Sequence, residues 1–280
     1  MFKVSPLFGD HAILPIGKEL RIFGTADEGE VIRATLTAAD GAVTGEGEST
    51  ARAGRFLIHL PPQKMKGPLT LTLTSESAEY TAHDLRVGLV FMAGGQSNME
   101  WGLWNAEGGQ EIIKNHDDAD LRYFNVPRVS VLDEAGLAAH DAAHWQQIAP
   151  HVGGDMSAVA YFFAREVRRE LGIPVGIVGC NWGGTSILSW MDEAALNRCG
   201  PAMKAAEDYE SKYGEIPLDE WQRKQDAFQH DMDVWNGKVA EIKEANPNIE
   251  WAEVEKQAGV CPWNPPPGPG WSCRSARRLP

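Results

Sequence analysis

Between residues 20 and 84 apolar side chains come in short runs, at 20–23, 31–37, 56–60 and 69–74, rich in Leu, Ile, Val, Phe and Thr. The last run, Leu-Thr-Leu-Thr-Leu-Thr, alternates strictly, as a half-buried antiparallel strand should. Gly24, Asp40-Gly41, Gly54, Pro61-Pro62 and Gly67-Pro68 punctuate the runs with turn residues. The pattern predicts a small β-sandwich over residues 1–86. It reads as a packing or spacing module, with a carbohydrate-contacting accessory domain as the alternative.

The pattern changes at residues 87–93, Val-Gly-Leu-Val-Phe-Met-Ala, an apolar run without alternation that suits a parallel strand buried on both faces. Further strands are predicted at 121–126 and 174–179. Before the last of these, Met156, Val159, Ala160, Phe163, Val167 and Leu171 recur every three or four positions. That is a helix, with Asp155 or Ser157 to cap its start and Gly172 to end it. A helix followed by a buried strand implies a crossover to a parallel strand, so residues 87–280 form an α/β domain. Residues 192–257 read as mostly helical, broken at Gly200-Pro201 and at 214–217. Leu218, Trp221, Phe228, Met232, Trp235, Val239 and Ile242 form an apolar stripe there. The stripe reads as ordinary helix packing, with a mobile lid or a homo-oligomer contact as alternatives, and the segment reads as an insertion into the sheet domain.

Composition narrows the partners. The 280 residues are 43% hydrophobic and 23% charged, enough for a substantial core and about two domains. Lys and Arg number 26 against 39 Asp and Glu, and the resulting charge of -13 opposes nucleic acid as a partner. No run approaches the ~20 apolar residues that span a bilayer, and no signal-like segment opens the chain, so the expectation is a soluble, cytoplasmic protein with no membrane partner. Cys180, Cys199, Cys261 and Cys273 form no C-x-x-C pair and read as idle thiols. No His, Asp and Glu grouping has metal-ligand spacing, His116-Asp117-Asp118 reading as a solvated loop, so neither a metal nor another cofactor is expected.

Two glycine-rich segments carry the candidate chemistry. Gly94-Gly95-Gln96-Ser97-Asn98-Met99-Glu100 follows the buried strand directly, where open α/β sheets build their sites. There Ser97 can project its hydroxyl among free backbone N–H groups, the position of a nucleophile. Asn181-Trp182-Gly183-Gly184-Thr185-Ser186 follows a second predicted strand, and its glycines can offer N–H groups to an oxyanion while Trp182 and Trp190 line a sugar-sized pocket. A capped strand-to-helix turn and a plain Gly-Gly turn account equally for each segment taken alone. Their pairing favours a site over two separate turns, because both strand ends should open on one edge of the sheet.

The motifs also resemble a known family. Gly95-Gln-Ser-Asn-Met-Glu100, residues 157–165, Ile173-Pro-Val-Gly176, Trp182-Gly-Gly-Thr-Ser-Ile187 and Trp190-Met191 are similar to the sialate O-acetylesterases, carbohydrate esterases of the SGNH-hydrolase superfamily. Leu7-Phe-Gly-Asp10, Phe23-Gly-Thr-Ala26, Leu60-Pro-Pro62 and Asp84-Leu-Arg-Val-Gly88 resemble the β-domain that accompanies that catalytic domain. The resemblance covers about residues 6 to 191. It implies a three-layer αβα, flavodoxin-like domain after the sandwich, with Ser97 as nucleophile and its own N–H plus Gly183 or Gly184 as the oxyanion hole. Gln96, Asn98, Trp182 and Trp190 would contact or shape the site, and the substrate would be an O-acetylated carbohydrate. Two later family motifs, a Gln-Gly-Glu stretch and an Asp-His pair near the C-terminus, do not follow residue 191. The sheet domain is therefore expected to be incomplete, through truncation or a frameshift, with a divergent member that finds its base elsewhere as the alternative, and the chain weakly active or inactive. A carbohydrate-binding pseudoenzyme and an unstable fragment are the alternatives.

Overall fold

The computed structural model describes residues 2–64, 67–129, 134–247, 249–262 and 266. The chain divides into two compact units, one holding the described residues up to Thr185 and the other those from Ser186 onward.

In the first unit the strands are β1 (Lys3–Val4), β2 (Ile13–Pro15), β3 (Leu20–Thr25), β4 (Val31–Ala38), β5 (Val43–Thr50), β6 (Arg55–Leu60), β7 (Leu69–Thr74), β8 (Glu79–Gly95), β9 (Asp118–Asn125), β10 (Trp145–Ile148) and β11 (Val175–Asn181). Its helices are α1 (Ser97–Glu100), α2 (Gly109–Asn115), α3 (Glu134–Ala142) and α4 (Ala158–Leu171). A three-stranded sheet runs β1-β3-β6, and an eight-stranded mixed sheet runs β10-β9-β11-β8-β7-β4-β5 with β2 beside β8. The fold is therefore mixed α/β around a central mixed sheet.

Strand β8 organises this unit. Over its first half it pairs antiparallel with β7, from Thr74↔Glu79 to Leu69↔Leu85. Over its second half it pairs parallel with β11, from Val175↔Leu89 to Asn181↔Gly95. The apolar run at 87–93 is thus the second half of a 17-residue strand that crosses residues 86 and 87 without a break. Leu20, Ile22, Ile32, Leu36, Ile58, Leu60, Leu71 and Leu85 are buried in one core drawn from both sheets. Alternation places them there: β7 buries every second residue, as its sequence predicts.

Beyond β8, β11 pairs parallel with β9 as well, Val175↔Leu121 to Gly179↔Asn125. Helix α4 is the crossover into β11. Ser157, not Asp155, caps it, its Oγ accepting from Ala160 N at 3.3 Å, and Gly172 ends it in a left-handed conformation with φ 64°. Ala160, Tyr161 and Ala164 are buried in one cluster with Val175 and Ile177, while Phe91 meets Phe163 edge-on at 4.9 Å. The expectation of burial on both faces holds only in part, because Met92, on the other face of β8, is 75% exposed.

A closed polar network ties the middle of β8 to β9. Arg122 is fully buried, and its guanidinium donates to the backbone oxygens of Ala119, His11 and Asp84 at 2.6–2.7 Å and to Asp84 Oδ2 at 2.9 Å. Asp84 Oδ2 also meets His11 Nδ1 at 2.9 Å, and Arg86 lies 3.1 Å from Asp84 Oδ1.

The second unit is helical: α5 (Glu193–Asn197), α6 (Gly200–Tyr213), α7 (Leu218–Ala245) and α8 (Trp251–Ala258). Gly200-Pro201 begins a helix, proline being suited to a first helical turn, and the break at 214–217 occurs where expected. Met232, Trp235, Val239 and Ile242 pack with Ala258 and Cys261, and Trp235 Nε1 donates to Gly259 O at 2.9 Å. This part of the stripe is ordinary helix packing. Residues 271–280 and Cys273 lie outside the described residues. No described helix is long and apolar enough to cross a membrane.

Candidate functional site

The two glycine-rich segments lie side by side. In the register of β8 and β11, Cys180 is opposite Gly94 and Asn181 opposite Gly95, and Trp182 N donates to Gly95 O at 3.0 Å. Both strand ends therefore open on one edge, the carboxyl edge of the parallel part of the sheet. Ser97 is the first residue of the short helix α1 and is exposed. Gly183 comes directly against it: a Cβ at position 183 would lie 3.2 Å from Ser97 Oγ and 2.7 Å from Glu100 Oε2. Only a residue without a side chain lets the second loop approach so closely.

Ser97 opens into a cavity of about 560 Å³. Trp101 and Trp104 form part of its lining, with Asn125, Arg128, Asp155 and Asn181 among the polar residues around it. Tyr123, from the buried strand β9, donates its hydroxyl to Asp155 Oδ1 at 2.6 Å, and Asn125 Nδ2 donates to Asp155 Oδ2 at 3.1 Å. Burial first, and then the Asp155 carboxylate beside it, push the Tyr123 phenol far above its ordinary range, so it remains a donor at any physiological pH. Arg128 reaches Glu100 Oε1 at 3.1 Å with Nη1 and donates to Asn181 O and Oδ1 at 3.0 and 3.1 Å. Glu100 in turn accepts from Gly183 N–H. One chain of contacts thus runs from the helix after Ser97, through Glu100, to the glycine loop and the end of β11.

The remaining candidates have other places. Gln96 donates its side-chain amide to Thr185 O, and Thr185 Oγ1 donates to Trp182 O at 2.7 Å, so Gln96 ties the two loops together. Gly184 is exposed, at φ 75° in the turn. Asn98 is exposed and Trp182 half-buried, and neither lines the cavity. Trp190 belongs to the second unit and is 42% exposed. Next to the site Cys180 has its thiol pushed up by burial and is a poor nucleophile.

Trp101, Trp104, Asn125, Arg128 and Asp155 were missed by reading the sequence. The two tryptophans had a signal, standing three apart immediately after the Ser97 motif. Asp155 was visible only as a helix cap, and its cavity position follows from Ser157 taking that role. Among the described residues no histidine lines the cavity, and no grouping of three or more His, Cys, Asp or Glu could hold a metal ion.

No protein-family model matches the chain. It is 29% identical over 215 residues to a sialate O-acetylesterase of Rattus norvegicus, covering 71% of this chain and 39% of the relative. The human sialate O-acetylesterase is 27% identical over 213 residues, covering 71% and 40%. Among solved structures, a carbohydrate acetylesterase from Xanthomonas citri superposes with a TM-score of 0.60 at 32% identity, covering 70% of this chain and 44% of that one. The chain spans about two fifths of the length of these curated relatives. In sequence it is similar to the sialate O-acetylesterases that its motifs resemble, and in fold to a carbohydrate acetylesterase.

Proposed function

We propose that the chain is a serine esterase of the sialate O-acetylesterase type, removing acetyl groups from O-acetylated sugars. The observation that carries this reading is the approach of Gly183 to Ser97 Oγ at the mouth of a sugar-sized cavity. In the proposed reaction Ser97 Oγ attacks the acetyl carbonyl, its proton passes through solvent water to the departing sugar oxygen, and the carbonyl oxygen becomes an oxyanion. The Ser97 N–H and an N–H of the Gly183-Gly184 pair stabilise it. The sugar oxygen leaves with a proton, and water then releases acetate from the acetyl-serine. Gly183 N–H donates to Glu100, so a substrate must displace that contact or use Gly184 instead.

With no described histidine in the cavity, hydrolysis is expected to be slow. A serine without a neighbouring base loses orders of magnitude in rate, while the oxyanion donors retain a small part of it. The same two features, the lack of a histidine among the described lining residues and the Gly183 N–H donating to Glu100, favour a second reading: a carbohydrate-binding module without turnover. In either case we read residues 1–86 as a small β-sandwich and residues 87–280 as an SGNH-like domain with a helical insertion at about 192–257.

Acetate release from an O-acetylated methyl glycoside, compared between the chain and Ser97→Ala, separates the two. Slow release abolished by the substitution supports the esterase. Glycoside binding with no Ser97-dependent release supports the binding module.

A further inference from the structure

Trp104 stands on backbone that is cleared for it. A Cβ at Gly102 would lie 2.7 Å from its indole Nε1, and a Cβ at Gly154 would lie 3.0 Å from its Cε3. These contacts fall at opposite ends of the indole, so both positions must lack a side chain for the ring to lie across them. Trp104 N donates to Gly154 O at 3.1 Å, which ties the short helical turn Leu103–Asn105 to the loop before α4. A ring seated in this way belongs to a core by its contacts, yet Trp104 is 50% exposed and lines the Ser97 cavity.

The residue after Gly154 is Asp155, which lines the same cavity. Tyr123 and Asn125 donate to its two carboxylate oxygens, one bond to each. Those bonds fix the carboxylate in place and use about half of its lone-pair positions. The rest can accept from the hydroxyls of a ligand. A fixed apolar face beside an oriented acceptor matches a sugar ring, whose C–H face covers the indole while its rim donates. This pair is held by a different segment from the one that carries the nucleophile. Trp101, four residues after Ser97, donates its backbone N–H to Ser97 O at 3.0 Å and stays beside α1, whereas Trp104 is bonded to the loop at 153–155. The cavity of about 560 Å³ is in the range filled by drug-sized ligands and takes a ring at each place.

We infer that Trp104 and Asp155 form a second sugar subsite, which holds the ring linked to the acetylated one, so that an O-acetylated glycan binds more tightly than the same acetylated ring alone. The inference rests on the esterase reading and deepens it by naming the substrate class. The acetylated ring lies at Ser97 and Gly183. Its neighbour lies on the Trp104 face, with Asp155 accepting from its hydroxyls.

The test is a binding titration of the full chain, which needs no turnover. Two matched pairs serve as probes: an O-acetylated methyl sialoside against the same residue linked to methyl galactoside, and an O-acetylated methyl glucoside against the corresponding methyl cellobioside. Within each pair the acetylated ring is the same and the added ring is uncharged. In the pair that binds, the longer probe should bind about tenfold more tightly, the worth of one well-made hydrogen bond and the ring contact together. Trp104→Ala should bring that ratio to within about twofold. Trp101→Ala should weaken both members and leave the ratio in place. Proton NMR of the unsubstituted chain gives a readout that needs no variant: in the bound state the protons of the added ring should move upfield, as protons over an indole face do. Equal affinity within each pair, a ratio unmoved by Trp104→Ala, unshifted protons on the added ring, or binding of neither pair overturns the inference. Ser97-dependent acetate release is scored separately. Its absence with the affinity ratio intact removes the esterase reading alone, and a ratio near unity with release intact removes this inference alone.

Discussion

Two arginines, six residues apart on and just after β9, show how differently the two ends of this sheet are built. Arg122 is fully buried, with three backbone oxygens and the Asp84 carboxylate around it. Arg128 is 42% exposed at the rim of a cavity, bonded to Glu100 and Asn181. At the first place the buried guanidinium is surrounded by acceptors, so the network serves to lock β8 against β9. At the second the groups are oriented yet open, the condition in which charged and polar side chains can act on a ligand. Strand β8 runs through both, carrying Asp84 and Arg86 in its closed part and delivering Ser97 just beyond its open end.

The sharpest way to break this contrast is at Arg122. Arg122→Met leaves Asp84 without its closest buried partner and should lower stability by about 3 kcal/mol or more, a fall in melting temperature of roughly 2–4 °C for each kcal/mol. A melt within a degree of the parent would mean the network is not structural.

Gly183→Ala should do the reverse. The added methyl would meet Glu100 Oε2 and Ser97 Oγ, so the loop must shift. Any Ser97-dependent acetate release should fall about 100-fold, as displacements near an ångström do at reacting centres, while the melting temperature moves little. Unchanged release would place the oxyanion donors elsewhere.

Acid titration sharpens the comparison at intermediate size. Burial would raise the Asp84 pKa, but the His11 hydrogen bond and the charges of Arg122 and Arg86 outweigh it and hold the carboxyl below its ordinary 3.8. The folded state therefore binds fewer protons than the unfolded chain, and the stability Asp84 contributes is complete above about pH 4 and lost as pH falls through the lowered value. Asp84→Asn should be less stable at neutral pH and flatter in its acid limb. A parallel acid limb in parent and variant would contradict this. The smallest effect is expected from Arg128→Ala, at most about 1 kcal/mol of stability for so exposed a pair. Thermal melts of the purified variant would check it, and a loss like that of Arg122→Met would erase the distinction between the two arginines.

Where periodicity and burial coincide, the sequence was legible. Strand β7 appears as its pattern predicts, helix α4 forms where its pattern predicts although Val159, Phe163 and Leu171 of the predicted stripe are exposed, and the two glycine-rich segments meet on one edge because parallel pairing requires it. Strand β5 was not legible. Its Val-Thr-Gly-Glu-Gly-Glu-Ser-Thr has little apolar content, and Gly47 is there for proximity: a Cβ would lie 2.6 Å from His59 O of β6. The joining of the two sheet halves through β8 was equally hidden, since Asp84 and Arg86 precede the apolar run and their partners Arg122 and Asp120 are distant in sequence. At the site, Ser97 and Gly183 could be found from spacing. The Asp155, Tyr123 and Asn125 cluster could not, because it depends on which of two possible caps helix α4 uses.

The most direct test is to trap the acetyl group. After incubation with an activated acetyl ester, mass spectrometry of the digested chain should find acetylation on the hydroxyl of Ser97, lost in Ser97→Ala. Acetylation spread over lysines alone, with the peptide containing Ser97 unmodified, would contradict the account.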